Sequence, residues 1–517
     1  MARASVTGYC WPQSVQAGDE LGLHLSSTGG RPVDIEVARI GRHRAVVFEE
    51  AGVEVGEHPT PPDAATKGCG WPVARHLTID DAWPSGYYEV TLTIEVDGRP
   101  RTEHAFFVVR PEVGSPSGPM LLVLSTNTWH AYNDFGGTNL YSGATQVALQ
   151  RPMARGYLSK PPGAGRRVTS IHPPDPQIAA HVGYLRLNHL SAWAGSAGWP
   201  DWEQPFVEWA EREGYAFDVA TNADLEDHPE LLADHDGAGY RLMLSVGHDE
   251  YWSGRMRDAV EGFIGRGGNV AFFSGNTSFW QVRLEDRADD GAGPATVMVG
   301  YKGHFRHDPL YETDRMGEVS SMWSDHLLGR PENQMTGVSF SRGGYHRIGR
   351  RVTAGAGGYT IHRAGHWMFD GTGVDYGDVL GADAVIVGYE CDGCDFTYRD
   401  GLPHPTHSDG TPDGFAILGT APAAPFTRET AARPPKPHEL SEAEFIAWRL
   451  FDSHQPEAVE RVLHGHAVLG TYTSPAGGTV ITSGSTDWAH GLAARDPQVE
   501  QITRNILHRL SAREPST

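Results

Sequence analysis

The stretch from Tyr240 to Arg283 constrains this chain more than any other. Tyr240 to Val246 is a short apolar run of the kind that forms a buried strand. Gly247 ends it, and the polar loop His248, Asp249, Glu250, Tyr251, Trp252 follows. Ser253 stands where a helix needs its N-cap, with Met256, Val260, Phe263 and Ile264 behind it at helical spacing. Gly267 and Gly268 stop the helix. Asn269 to Ser274 is a second apolar strand, which leaves through Gly275, Asn276 and Thr277. Strand, helix and strand in this order predict a parallel pair with a right-handed crossover. In open parallel sheets, ligands bind beyond the carboxyl ends of the strands. Both polar loops lie at such ends, so their reactive residues serve chemistry better than packing.

The remaining chain divides in two. Glu20 to Ser26, Val33 to Ile40, Tyr87 to Val96 and His104 to Val109 alternate apolar and polar residues, and Asp97-Gly98 is a hairpin signal. This predicts a β-sandwich of immunoglobulin-like type over residues 1–112. A linker rich in Pro, Gly and Ser runs from Pro111 to Pro119. Beyond it, residues 118–517 interleave strand and helix patterns. Strands are expected at Met120 to Ser125, Phe217 to Ala220 and Ala384 to Val387, and a strand pair at His466 to Tyr472 and Gly478 to Thr482. Helices are expected at Trp202 to Glu213, at Ser441 to Leu450 with a Ser441–Glu444 capping box, and at Val499 to Leu510. Residues 151–198 are proline-rich and irregular. The predicted class is α/β, with a mostly parallel sheet covered by helices on both faces.

Composition narrows the partners. A net charge of −23 argues against nucleic acid or an anionic membrane. No apolar run approaches the ~20 residues of a membrane span, and the first residues lack the apolar core of a secretory signal, so a cytoplasmic protein is expected. Four cysteines are too few for a disulfide scaffold in a chain of 517 residues. The chain has no GxxxxGK[ST] phosphate loop, no HExxH zinc motif and no GxSxG nucleophile elbow.

Several residues then become candidates. His248 and Glu250 have the chemistry of a general base, and Tyr251 that of a metal ligand or proton donor. A helix-entry loop would account for Asp249 and Glu250 facing a helix N-terminus, but not for His248 or Tyr251. Asn276 either orients a substrate or supplies a left-handed turn. Trp129, Tyr132, Asn133 and Tyr141, at the end of another strand, together with Trp280, suit the wall of a pocket. Cys391-x2-Cys394 followed by His404-x2-His407 invites a zinc reading, but the spacing is tight and buried idle thiols explain it as well.

Seven motifs resemble one family: STNTWHAYNDFGG (125–137), GYAFDVATNADLE (214–226), SVGHDEYWS (245–253), GGNVAFFSGNTSFWQVR (267–283), LGRPENQMTG (328–337), VGYECDG (387–393) and GSTDWAHGL (484–492). The chain resembles the large (β) subunit of N,N-dimethylformamidase and its relatives. The resemblance implies a glutamine-amidotransferase-like α/β domain and an amidohydrolase cleaving a small amide. It also implies a mononuclear iron held by two tyrosines and a glutamate. Tyr251 matches the family's segment in HDEYWS. Glu318 is the match for the carboxylate, with Glu312 competing, and the second tyrosine stays open among Tyr215, Tyr301 and Tyr311. Phenolate and carboxylate are hard oxygen donors suited to ferric iron. The competing readings are a non-catalytic relative that binds a polar ligand or sugar, and a subunit that needs a small partner chain. A homo-oligomer is the other expected assembly.

Overall fold

The computed structural model describes residues 5–161, 183–233, 239–288, 293–347, 355–431, 435–436 and 438–512. Part of the proline-rich stretch 151–198, namely 162–182, lies outside the described residues.

The pairing expected around Tyr240–Arg283 is present. Leu242–His248 lies parallel to Asn269–Gly275 on one side and to Met120–Leu124 on the other. Every residue of Leu242–His248 and Met120–Leu124 is buried, because both faces of this part of the sheet are covered. Between the paired strands runs the helix Gly254–Gly265, started by Ser253, whose hydroxyl accepts the Met256 N–H at 3.2 Å.

The larger expectation, a mostly parallel α/β sheet of glutamine-amidotransferase type, is overturned. The protein is β-rich, with 33% strand against 21% helix, and its sheets are mixed. The central sheet has nine strands among the described residues. Asp218–Thr221, Met120–Leu124, Leu242–His248, Asn269–Gly275 and Thr479–Thr482 run parallel. Gly465–Thr473, Ala416–Ala423, Tyr359–Ile361 and Val379–Leu380 continue it antiparallel. The reason lies in the connections. Thr473 and Thr479 pair directly across a tight turn. Such a turn can close only a hairpin, since a parallel crossover needs a dozen or more residues. Other strands leave the sheet altogether. Tyr251–Ser253, expected as loop, pairs parallel with Trp280–Arg287 in a separate four-stranded sheet.

Two further local expectations change. Ala384, Ile386 and Val387 are buried, but the segment turns, with Val385 at φ 56°. The strand begins later, at Glu390–Gly393, and pairs antiparallel with Ser339–Tyr345. The start of the loop after Met120–Leu124 is a helix, Thr126–Tyr132, all seven residues of which are buried. Tertiary burial there overrides the modest helix propensity of Thr and Asn.

Toward the N-terminus, a three-stranded and a five-stranded sheet share one apolar core that includes Leu23, Leu25, Val37, Val90 and Phe107. The opposite face of the larger sheet packs on the rest of the chain, with Tyr87 stacked on Trp199 at 4.0 Å and the Phe106 ring tilted against Trp129 at 5.3 Å. Among the described residues, no helix is long and apolar enough to cross a membrane.

Glu332, in the LGRPENQMTG motif, is fully buried and accepts the Ser339 hydroxyl at 2.5 Å. Burial raises its carboxyl to about 7. A folded value above the unfolded one stabilises the fold below the unfolded value, and this contribution is lost as pH rises through the folded value. The melting temperature of the native protein, relative to Glu332→Gln, is therefore expected to fall between pH 4.5 and 7. A difference that stays constant across that window in paired thermal melts would exclude this cost.

Candidate active site

The three strand ends do converge. His248 closes Leu242–His248, and Asn276 follows Asn269–Gly275; their side chains meet at 3.3 Å. Tyr132, at the end of the helix after Met120–Leu124, brings its ring 5.5 Å from the His248 ring. Local sequence makes this approach feasible. A side chain at Gly247 would collide with Trp202, which packs edge-on against His248 at 6.1 Å. A side chain at Gly275 would meet the main chain of Glu390 and Thr486. Asn276 itself sits at φ 51°, and Asp392 fixes that turn by accepting the N–H groups of Asn276 and Thr277 at 2.8 and 3.0 Å. The turn and the chemical reading of Asn276 are thus compatible.

At the centre, His248 is clamped. Its Nδ1 lies 2.6 Å from the Ser196 carbonyl, which can only accept, so Nδ1 carries a proton. Its Nε2 lies 2.6 Å from Glu390 and 3.2 Å from Glu250. Burial alone would lower the imidazole value, but the two carboxylates override it and raise it to about 10. The ring is held as an imidazolium with one mobile proton facing Glu390. Burial pushes Glu250 the other way from its partners, and the His248 and Lys302 charges win, holding its carboxyl below the usual range.

Beside this clamp stands a row of phenols. Tyr132 donates to the Tyr141 hydroxyl at 2.8 Å, and Tyr141 donates to Glu250 Oε1 at 2.6 Å. Burial first, and then the Glu250 charge, raise both phenols well above their ordinary value. Tyr251 stands one step further, its hydroxyl 3.0 Å from the Lys302 ammonium. Lys302 also lies 3.2 Å from the centre of the Tyr141 ring and 5.0 Å from that of Trp280. Burial drops its amine to about 7, with Glu250 and Glu390 opposing. Tyr141 keeps 37% of its surface accessible, so the cluster is reached from its side.

A family model for the "N,N-dimethylformamidase beta subunit-like, C-terminal" region matches residues 34–502. The chain belongs to this family. Two of its relatives, the N,N-dimethylformamidase β subunits of Alcaligenes sp and Paracoccus aminophilus, are each 26% identical over 237 residues. That stretch covers 42% of this chain and 28% of either relative, so the chain matches well under half of their length. Among solved structures, a family 123 glycoside hydrolase from Clostridium perfringens shares 11% identity over 25% of this chain and 32% of that chain, at a TM-score of 0.11, and carries no argument.

For a dimethylformamidase-β-like chain, the ligand set can be tested against these contacts. Among the described residues no group of three or more His, Cys, Asp or Glu could hold a metal ion, so a metal would have to draw on phenols. Tyr132, Tyr141 and Glu250 supply two phenol oxygens and a carboxylate in a contiguous row, which fits the two-tyrosine, one-glutamate pattern that the resemblance implies. Glu318 does not join them. It lies at the surface, paired with Arg315 at 2.7 Å. Tyr251 is near, but its oxygen is taken by Lys302.

Two expected pocket residues prove structural. The Trp129 indole donates to buried Glu203 at 3.2 Å and packs on Phe106, in the seam with the N-terminal sheets. Asn133 donates to the Pro152 carbonyl and accepts the N–H groups of Phe135 and Ala154. Cys391 and Cys394 are buried free thiols in separate apolar clusters, and His407 faces the Thr411 carbonyl at 3.0 Å, which supports packing over zinc.

Sequence reading missed Glu390 and Lys302. Glu390 stood in plain view in VGYECDG, beside the cysteines that drew attention. Lys302 had a usable signal, being one of only four lysines in a chain that otherwise takes its positive charge from arginine.

The phenol row depends on one amide. Asn139 is fully buried, donates to the Tyr132 carbonyl at 2.7 Å and accepts the Tyr141 N–H at 2.9 Å. Asn139→Ala leaves these groups without that partner and is expected to cost ~1–3 kcal/mol in urea unfolding. A change within ~0.5 kcal/mol would show that the loop holds itself.

Proposed function

We propose that this chain hydrolyses the C–N bond of a small amide at the Tyr132, Tyr141, Glu250, His248 and Glu390 cluster. The carrying observation is the His248 imidazolium clamped between two carboxylates beside paired phenol oxygens. Family membership and the amidase names of the relatives support the same reading.

Tyr132, Tyr141 and Glu250 would hold an iron ion through their oxygens. Bound there, iron would supply Lewis acidity for an amide carbonyl and for a water molecule. The proton work falls to the residues alongside. Glu390 takes the proton of the attacking water as its oxygen adds to the amide carbon. His248 gives its Nε2 proton to the leaving nitrogen as the C–N bond breaks, releasing acid and amine. The proton on Glu390 then returns to Nε2 along their 2.6 Å contact, which restores the starting state. Asn276, donating to Glu390 at 3.2 Å, orients that carboxylate. Lys302 adds positive charge beside Tyr141 and Tyr251. The relatives are named as β subunits, which supports work in an assembly with a second kind of chain.

Ferric phenolates absorb visible light, so the purified protein is expected to carry iron and colour. Tyr141→Phe should lose both the absorption and turnover of N,N-dimethylformamide, whereas Tyr251→Phe should keep the absorption. Glu390→Gln should retain iron and lower kcat roughly 100-fold or more. A colourless, iron-free wild type that is fully active would remove the metal from this scheme, and a loaded wild type inert toward every small amide tried would end the amidase reading.

A further inference from the structure

One group near the cluster has no task in amide cleavage itself. Glu442 opens the helix Glu442–Phe451, directly after the Ser441 cap. Its carboxylate accepts the Phe426 N–H at 2.7 Å and the Tyr345 hydroxyl at 3.1 Å. Among the described residues, the contacts of that carboxylate include no cation. Burial, followed by the Tyr345 and Phe426 contacts and the Glu390 and Glu250 charges, leaves its carboxyl at about 7. Glu442 is thus within electrostatic reach of the catalytic carboxylates.

The space between is walled by rings. Tyr389 lies edge-on to His248 at 5.8 Å, Tyr345 lies 5.8 Å from Tyr389, and Phe426 lies 4.3 Å from Tyr345. From the other side Trp280 approaches Phe445 at 6.0 Å, on the helix that Glu442 opens. Phe426, Phe445 and Glu442 are each partly accessible rather than sealed in the core. A separate observation concerns hydrogen bonds. Asn276 Oδ1, on a residue only 3% exposed, is a buried acceptor with no hydrogen-bond donor among the described residues. Buried acceptors normally have partners, so the lack of one at Asn276 points to a donor brought in from outside. Among the described residues, Glu250 and Glu390 share the His248 and Lys302 charges, and neither of these cations is paired with Glu442. Aromatic faces and surplus negative charge favour the same visitor, a cation that also donates hydrogen bonds.

We propose that the preferred substrate is an amide carrying an ammonium group, which Glu442 receives between Tyr345, Phe426 and Trp280 while the amide lies at His248 and Glu390. This rests on the amide-hydrolase reading and narrows its substrate class. A neutral amide fits the same catalytic groups but leaves Glu442 uncompensated.

The test compares N-(aminopropyl)formamide with its uncharged isostere N-(hydroxypropyl)formamide on the iron-loaded full chain. The wild type is expected to favour the ammonium substrate about 10-fold or more in kcat/KM, mostly through KM. Glu442→Gln should bring the ratio near one, and Glu442→Asp, which keeps the charge, should retain part of it. A wild type without preference, or a Glu442→Gln ratio equal to that of the wild type, overturns the proposal. If neither formamide is turned over, the amidase reading fails and the ammonium site is judged on its own by calorimetry with propylammonium chloride. Binding at least about 10-fold tighter to the wild type than to Glu442→Gln sustains the site, and equal or absent binding overturns it.

Discussion

The site depends on one crowded imidazole. His248 has a carbonyl on one nitrogen and two carboxylates at the other, all shielded from water. A buried carboxylate is costly unless paired, and here His248 stands between two of them with Lys302 adding its charge alongside. That shortage shapes everything nearby. Lys302 is drawn in against the phenols, Asn276 turns its amide toward Glu390, and the hydroxyls of Tyr132 and Tyr141 line up on Glu250. Positive charge is scarce around this cluster, where His248 and Lys302 lie among Glu250 and Glu390.

The scaffold that holds this arrangement is braced most closely around the cluster. Asn133, Asn139 and Arg151 spend nearly all of their hydrogen bonds on main-chain groups of the segment that bears Tyr132 and Tyr141. Arg151 is fully buried and donates to the carbonyls of Ala148, Phe135 and His130. Asp487 does the same for the opposite wall, accepting the Trp202 indole on one oxygen and the Tyr389 N–H on the other. Residues of this kind fix the clustered side chains in place from outside the cluster.

Much of this was legible in the sequence, and the misses have physical causes. His248, Glu250 and Asn276 come together, as expected, because strand ends in a parallel pair share one side, and that part of the sheet is parallel. The same rule misplaced Trp129 and Asn133. An aromatic or amide side chain beyond a strand end can face the site or brace it, and sequence does not say which. Glu318 failed because nearness in sequence carries no information about burial. The overall class failed because it turned on later hairpins, whose tight turns reverse the sheet after Thr479–Thr482. Glu390 sits on a strand outside the central sheet, so no periodicity in the Tyr240–Arg283 unit could point to it.

That separation has a consequence for how the chain matures. Tyr141 meets Glu250 across 109 residues, Asn276 meets Glu390 across 114, and Trp202 meets Asp487 across 285. Each closure costs loop entropy before it gains any contact, so the cluster belongs to the late stages of folding. A nascent chain still short of Glu390 already holds the phenols and Glu250, but it lacks the carboxylate that shares the His248 proton. The full cluster is therefore assembled only once the strand Glu390–Gly393 has docked.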